Sequence, residues 1–143
     1  MKWRTRESSV GAGIDSFYEY LFKGAILFND SELMEQFNEI YPIILDFIDE
    51  SGRFFAFGNL DSNRLTSYLD SLSAFMPGLL AQYGDIERAE RTFNGFYSLW
   101  IRYGILPERI DFKKVRVLHD GFFLRPELIE SAYFLYRVRK YLN

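Results

Sequence analysis

Apolar residues at helical spacing are the feature that most limits the folds open to this chain. The clearest stripe follows Gly84-Asp85 and closes at Gly104, a residue typical of the position just after a helix. Its members recur mostly at steps of three and four: Ile86, Ala89, Phe93, Phe96, Tyr97, Trp100 and Ile101. A helix with one apolar face is stabilised by packing that face against another element. The spacing therefore predicts helical hairpins joined by short links.

Three more helices follow from the same reasoning. The first runs from Ile14 to Phe28, and the second begins with Ser31 as its N-cap. Pro42 lies inside the second pattern and is predicted to kink the helix or to split it from residues 43–49. Pro126 opens the last helix, a position that suits proline.

Shorter segments are predicted to connect these helices: a strand at 54–57, a helix at 65–75, a break at Pro77-Gly78, a helical piece at 79–83 and a strand at 113–118. The predicted fold class is all-α, with one or two short extended segments. Residues 1–143 form one domain, and no second domain is predicted.

The charge balance excludes a class of partners. The net charge is −3 and the isoelectric point is about 5.2, which argues against binding a phosphate backbone. The basic cluster Arg137-Val138-Arg139-Lys140 closes the predicted last helix, where cations favour the negative end of the helix dipole. We therefore expect no nucleic-acid partner.

Two further absences narrow the chemistry. The chain has no cysteine, which excludes disulfides and zinc-finger sites. No apolar run approaches 18 residues and the first residues lack an apolar core, so this chain shows neither a transmembrane span nor a secretory signal.

The aromatic content points to wide helix contacts, a ring-lined sugar site, or both. Aromatic residues make up 19% of the chain, with 15 Phe, 10 Tyr and 2 Trp. The sequence Asn29-Asp30-Ser31 is an acceptor pattern for N-glycosylation and hints at a luminal location.

Three segments, in family order, resemble signature motifs of the class I α-mannosidases, glycoside hydrolase family 47. They are Gly11-Ala12-Gly13-Ile14-Asp15-Ser16-Phe17-Tyr18-Glu19-Tyr20-Leu21, Ser71-Leu72-Ser73-Ala74-Phe75-Met76-Pro77-Gly78-Leu79 and Leu124-Arg125-Pro126-Glu127-Leu128-Ile129-Glu130-Ser131. Ser71-Leu72 and the segment from Leu99 to Arg109 resemble the branch of endoplasmic-reticulum (ER) degradation-enhancing α-mannosidase-like proteins.

The resemblance implies a fold, an activity and a compartment. The chain would be the middle third of an (α/α)7 toroid, and a piece of such a ring would expose two apolar flanks. The family hydrolyses terminal α-1,2-linked mannose of high-mannose N-glycans with inversion. The implied partners are such glycans on misfolded glycoproteins and an ER chaperone or oxidoreductase. The implied location is the ER lumen.

The resemblance assigns catalytic roles to Asp15 and Glu127, each at the start of a predicted helix. Glu127 would be the general base, and its place in the first helical turn predicts a lowered pKa. From the residues alone, an ordinary N-terminal capping acid is the favoured interpretation of Asp15, and the family motif around it reverses that preference.

The resemblance also assigns substrate-binding roles to Glu19, Arg125, Glu130 and Phe75. Glu19 and Glu130 lie one turn beyond the two catalytic candidates, so each pair shares a helix face. They would reach a calcium ion, the family cofactor, only through water, because a direct ligand pair and a further catalytic glutamate have no counterpart here. We therefore expect poor calcium affinity and no measurable hydrolysis by the 143 residues alone. Phe75 reads equally well as a core residue, and the acids as a solvated helix face.

Two alternatives stay open. The chain could be a non-catalytic module that binds mannose-rich glycans or misfolded glycoproteins. It could also be an unrelated helical scaffold, in which case the carboxyls of Asp15 and Glu127 would lie more than about 15 Å apart, beyond the reach of a glycosidase pair.

Overall fold

The computed structural model describes residues 5–142, and helices make up most of this part of the chain. The α-helices are α1 (Asp15–Phe28), α2 (Ser31–Leu45), α3 (Met76–Tyr83), α4 (Ile86–Tyr103) and α5 (Glu127–Leu142). A 3₁₀ helix, Ser71–Phe75, leads directly into α3. The short strands are β1 (Glu7–Ser8), β2 (Gly58–Asn59), β3 (Arg64–Leu65), β4 (Tyr68–Asp70), β5 (Arg109–Asp111) and β6 (Arg116–His119).

Helix α3 is the centre of the packing. It contacts α4 and α5, while α1 packs on α2 and on the 3₁₀ helix. Residues Met76 to Ala81 are all buried, because neighbouring elements cover every side of this short helix. Rings from α1 and α2 extend the core, with the ring centroids of Phe22 and Phe37 4.9 Å apart. The predicted helical hairpins are therefore confirmed.

Helix boundaries follow carboxylate and left-handed caps. The side chain of Asp85 accepts from the Arg88 N–H and starts α4, and Gly104 ends α4 in a left-handed conformation, as predicted. The predicted cap of α2 is wrong by one residue. Asp30, not Ser31, accepts from the N–H groups of the first turn, because a carboxylate is the stronger acceptor for these positive helix ends.

The predicted split at Pro42 is wrong, because helix α2 runs through this residue and ends at Leu45. The other predicted outcome, a kink at Pro42, stays a prediction. The break predicted at Pro77-Gly78 is wrong as well, because α3 runs through both residues. Pro77 lies in the first turn of α3, where its missing N–H has no helical acceptor to lose.

The helix predicted at 65–75 is wrong, and the fold class is mostly helical rather than all-α. This segment forms β3, β4 and the 3₁₀ helix. The strands build two antiparallel three-stranded sheets, in the orders β1-β2-β3 and β4-β5-β6. Leu69 of β4 pairs with Ile110 of β5 and both are fully buried, so a distant partner overrides the local helical pattern.

The remaining extended predictions are met in part. Residues 54–57 contribute a single bridge, between Ile48 and Phe55. The strand predicted at 113–118 is β6, shifted to Arg116–His119.

Large apolar side chains remain exposed on four helices. They are Phe17, Tyr20, Ile26, Leu27 and Phe28 on α1, Ile43 on α2, Tyr97 and Ile101 on α4, and Ile129, Tyr133, Tyr136 and Tyr141 on α5. No helix within residues 5–142 has both the length and the apolar character needed to span a membrane.

Ser131 fixes α5 to the elements beneath it. Its buried hydroxyl donates to the Ala74 carbonyl at 2.6 Å and accepts from the Gly78 N–H at 2.9 Å. A side chain at Gly78 would meet Ser131, since a Cβ there would lie 3.0 Å from both its Cα and its Oγ. The Ser131 hydroxyl therefore contributes to fixing the distance between α5 and α3, and with it the position of the first turn of α5.

We expect Ser131→Ala to lower the free energy of unfolding by about 1–3 kcal/mol, because it leaves buried backbone groups without partners. The measurement is thermal unfolding of the full-length protein. Ser98→Ala is the control, because Ser98 is exposed on α4 and its loss should cost less than about 0.5 kcal/mol. Equal losses for the two variants would contradict this role.

Candidate active site

Asp15 and Glu127 occupy the first turns of α1 and α5, as predicted. Both are partly buried. The Oε2 atom of Glu127 is buried and is, within residues 5–142, the one buried side-chain oxygen or nitrogen without a hydrogen-bond partner. Buried polar atoms are normally paired, so this unpaired oxygen is an exception that packing alone does not explain.

The pKa of Glu127 is raised, which corrects the prediction that the helix dipole lowers it. Burial is the largest cause, and the negative charges of Asp15 and Glu108 add to it. Its own backbone N–H and the Arg125 guanidinium oppose the rise but do not overcome it. Asp15 is thus close enough to Glu127 for its charge to be felt, which the unrelated-scaffold alternative does not predict.

Lys23 joins the two helices that carry these carboxyls. Its Nζ donates to Oε1 of Glu19 at 2.5 Å and to Oε1 of Glu130 at 2.8 Å. The ammonium also lies 5.4 Å from the ring centroid of Phe134. Burial lowers the pKa of Lys23, but the two carboxylates outweigh it and the net shift is upward. The second pair of predicted acids therefore does converge, around a cation from the protein itself.

Arg125 is held by Glu108 rather than by the catalytic candidates. Its guanidinium donates to both oxygens of Glu108, at 2.7 and 3.1 Å, and Ser71 donates to Oε1 of Glu108 at 3.2 Å. The hydrogen bond from Arg125 is the main cause of the lowered pKa of Glu108. The ion pair with Glu108 thus holds Arg125 in place, two positions before Glu127.

A buried carboxylate shapes the loop before α1. Asp70 accepts from the Ala12 N–H at 3.0 Å and from the Ser73 N–H at 2.9 Å. A Cβ on Gly11 would lie 2.1 Å from Oδ1 of Asp70, so glycine is required there. Burial raises the pKa of Asp70, and the two N–H donors only partly offset it. Asp70 thereby positions the loop that delivers Asp15.

Phe75 is a core residue in this structure. It is 5% exposed and belongs to the main apolar cluster, so the core interpretation is favoured over stacking on a sugar.

The acidic side chains of residues 5–142 are not clustered as a metal site: no three or more histidine, cysteine, aspartate or glutamate side chains surround a possible ion. Glu19 and Glu130 already share the ammonium of Lys23, which supplies the positive charge between them. Their contact with calcium through water stays a prediction.

Sequence reasoning missed Lys23, Glu108 and Asp70 as parts of this site. Lys23 lies four residues after Glu19, a spacing that predicts an ion pair on one helix face. Glu108 lies inside a segment that resembles the family and Asp70 directly precedes another, but their partners are distant in the sequence. Only the first of the three carried a local signal.

We expect Lys23→Met to lower the free energy of unfolding by roughly 1–2 kcal/mol, because two facing carboxylates lose their shared donor. Partial exposure, 28% for the Lys23 side chain, keeps the loss below that of a fully buried pair. The measurement is thermal unfolding of the full-length protein beside Lys113→Met, which changes an exposed lysine. Equal midpoints for the two variants would show that the bridge contributes nothing.

Comparisons with known proteins agree with the motifs. Alpha-mannosidase I MNS4 of Arabidopsis thaliana is 38% identical over 142 residues, covering 97% of this chain and 23% of that protein. ER degradation-enhancing alpha-mannosidase-like protein 2 of Homo sapiens is 38% identical over 138 residues, covering 95% of this chain and 24% of that protein. The chain thus spans about a quarter of the length of these relatives.

The fold agrees as well. The alpha-1,2-mannosidase from Trichoderma reesei matches 92% of this chain with a TM-score of 0.72 and 20% identity, and 34% of that solved chain is covered. The profile described as Glycosyl hydrolase family 47 matches residues 1–142. From the motifs, the fold and this match, the chain belongs to glycosyl hydrolase family 47.

Proposed function

We propose that the full-length protein hydrolyses terminal α-1,2-linked mannose of high-mannose N-glycans on misfolded glycoproteins in the ER lumen. The observation that carries this is the match to glycosyl hydrolase family 47, with the two motif carboxyls, Asp15 and Glu127, in the first turns of α1 and α5. The names of the relatives support the compartment, and that of the solved neighbour supports the linkage. Because the chain spans a quarter of its relatives, we expect the 143 residues alone to release no measurable mannose.

Glu127 is suited to the role of general base. An inverting glycosidase needs a carboxylate that takes a proton from water on the face of the sugar opposite the leaving group. An unpaired carboxyl oxygen in the first turn of α5 can accept that proton, and the nearby charge of Arg125 favours its ionised form. A raised pKa makes the carboxylate a stronger base once it is ionised.

Asp15 completes the pair from the opposite helix. Inverting carboxyl pairs are separated by roughly 6.5–9.5 Å, which leaves room for the water. The bridge through Lys23 and the anchor through Asp70 hold α1 and its leading loop relative to α5. In this proposal these contacts fix the gap between the two carboxyls. No step is assigned to calcium, since within residues 5–142 no three acidic or histidine side chains are grouped around a possible ion.

We expect Glu127→Gln to reduce kcat by at least about 100-fold, the lower range for losing a general base, while binding of a high-mannose glycan is retained. The amide keeps the shape of the side chain but cannot take the proton. Turnover is measured by mannose release and binding by calorimetry, with Glu39→Gln on the exposed side of α2 as the control. Retained binding by a wild-type protein that shows no turnover would favour the glycan-binding module instead.

The raised pKa of Glu127 predicts the acid limb of the activity profile. The base works only when ionised, so kcat/KM should fall as the pH drops through a pKa above the ordinary 4.5 of glutamate. The effect on stability has the opposite sign. The folded state disfavours ionised Glu127, so its contribution to stability is lost as the pH rises from 4.5 through the raised pKa.

An acid limb at or below 4.5 would contradict the assignment of Glu127 as the base. Thermal unfolding of wild type and Glu127→Gln between pH 4 and 8 gives an independent readout, because the difference between them should change in that range.

A further inference from the structure

The turn between α1 and α2 presents an acceptor sequence that the proposed catalysis does not use. Asn29-Asp30-Ser31 is the one such pattern in the 143 residues. Asn29 and Ser31 are exposed, and Asn29 has a left-handed backbone with a φ of 51°. Its backbone N–H, rather than its side chain, closes α1 by donating to the carbonyls of Ala25 and Ile26. The amide side chain is therefore not needed to end the helix.

We propose that Asn29 carries an N-linked glycan, an inference that rests on the luminal location in the proposed function. The co-reactant is an oligosaccharide linked to a polyprenyl diphosphate. Nδ2 of Asn29 forms a bond to the anomeric carbon, the bond from that carbon to the diphosphate oxygen breaks, and Nδ2 loses one proton. The polyprenyl diphosphate leaves, and no oxidant or reductant is required.

The place of Asn29 in the fold is compatible with a large modification. Helix α1 has 14 residues, so its two ends are about 21 Å apart. Asp15 lies at one end and Asn29 follows the other, which puts the glycan at the opposite end of the helix from the candidate active site. A modified Asn29 would leave the approach to Glu127 and Asp15 open.

Asn63 supplies a matched control. It lies in the exposed turn between β2 and β3 and shares the φ of 51°, but the residues after it are Arg64 and Leu65, which do not make an acceptor. Leu65→Thr completes the pattern at Asn63, and Leu65 is itself an exposed strand residue. The variant therefore reports whether an equivalent asparagine of the same chain meets the glycosylation machinery.

The experiment expresses the full-length protein in a cell that N-glycosylates secreted proteins. It compares wild type, Asn29→Gln, Ser31→Ala and the double variant Asn29→Gln with Leu65→Thr. Gel mobility is read before and after enzymatic removal of N-glycans. The tryptic peptide 24–53 is read by mass spectrometry, because enzymatic release of a glycan converts its asparagine to aspartate.

We expect wild type to lose the mass of a glycan at peptide 24–53 on treatment, and Asn29→Gln and Ser31→Ala to lose none there. An unmodified peptide 24–53 in wild type, with glycan gained at Asn63 in the double variant, would overturn the site while keeping the luminal location. Absence of glycan at both positions would overturn the site together with the luminal location. Mannose release by the same preparations tests the proposed catalysis separately.

Discussion

The contact between the Lys23 ammonium and two glutamates on different helices is the interaction on which the candidate site depends. Helix α1 packs mainly on α2, and α5 packs mainly on α3 and on the 3₁₀ helix that leads into it, so the two carboxyl-bearing helices have different main partners. Lys23 links them directly through Glu19 and Glu130. Because one cation serves both acids, the same contact offsets part of the repulsion between two like charges and links the two helices.

The positive charges are distributed so that one carboxyl remains unsatisfied. Glu108 has Arg125, Asp70 has two backbone donors, and Glu19 shares Lys23 with Glu130. Among the buried side-chain oxygen and nitrogen atoms of residues 5–142, only Oε2 of Glu127 has no hydrogen bond. Leaving a buried acceptor unpaired costs free energy of folding, and active sites are where such costs are usually retained.

Much of the fold could be predicted because it is encoded locally. The apolar residues that predict α1, α4 and α5 lie within each helix. Gly104 marks the C-terminal end of α4, and Pro126 marks the start of α5. The strands at 64–70 could not be predicted, since Tyr68 finds its partner at Asp111, far along the chain. The site divides in the same way. Sequence placed Asp15 and Glu127 at helix starts, but the pKa of Glu127 is set by burial, which is a property of the assembled structure.

The space shared by Gly11 and Asp70 ties two distant positions together. The Asp70 carboxylate occupies the volume into which any side chain at position 11 would project. A side chain at position 11 could be accommodated only if the Asp70 carboxylate were lost. The two hydrogen bonds that this carboxylate accepts from backbone N–H groups would be lost with it. As sequences diverge, position 11 should therefore gain a side chain only where position 70 has already lost its carboxylate, so the order of the two changes is restricted.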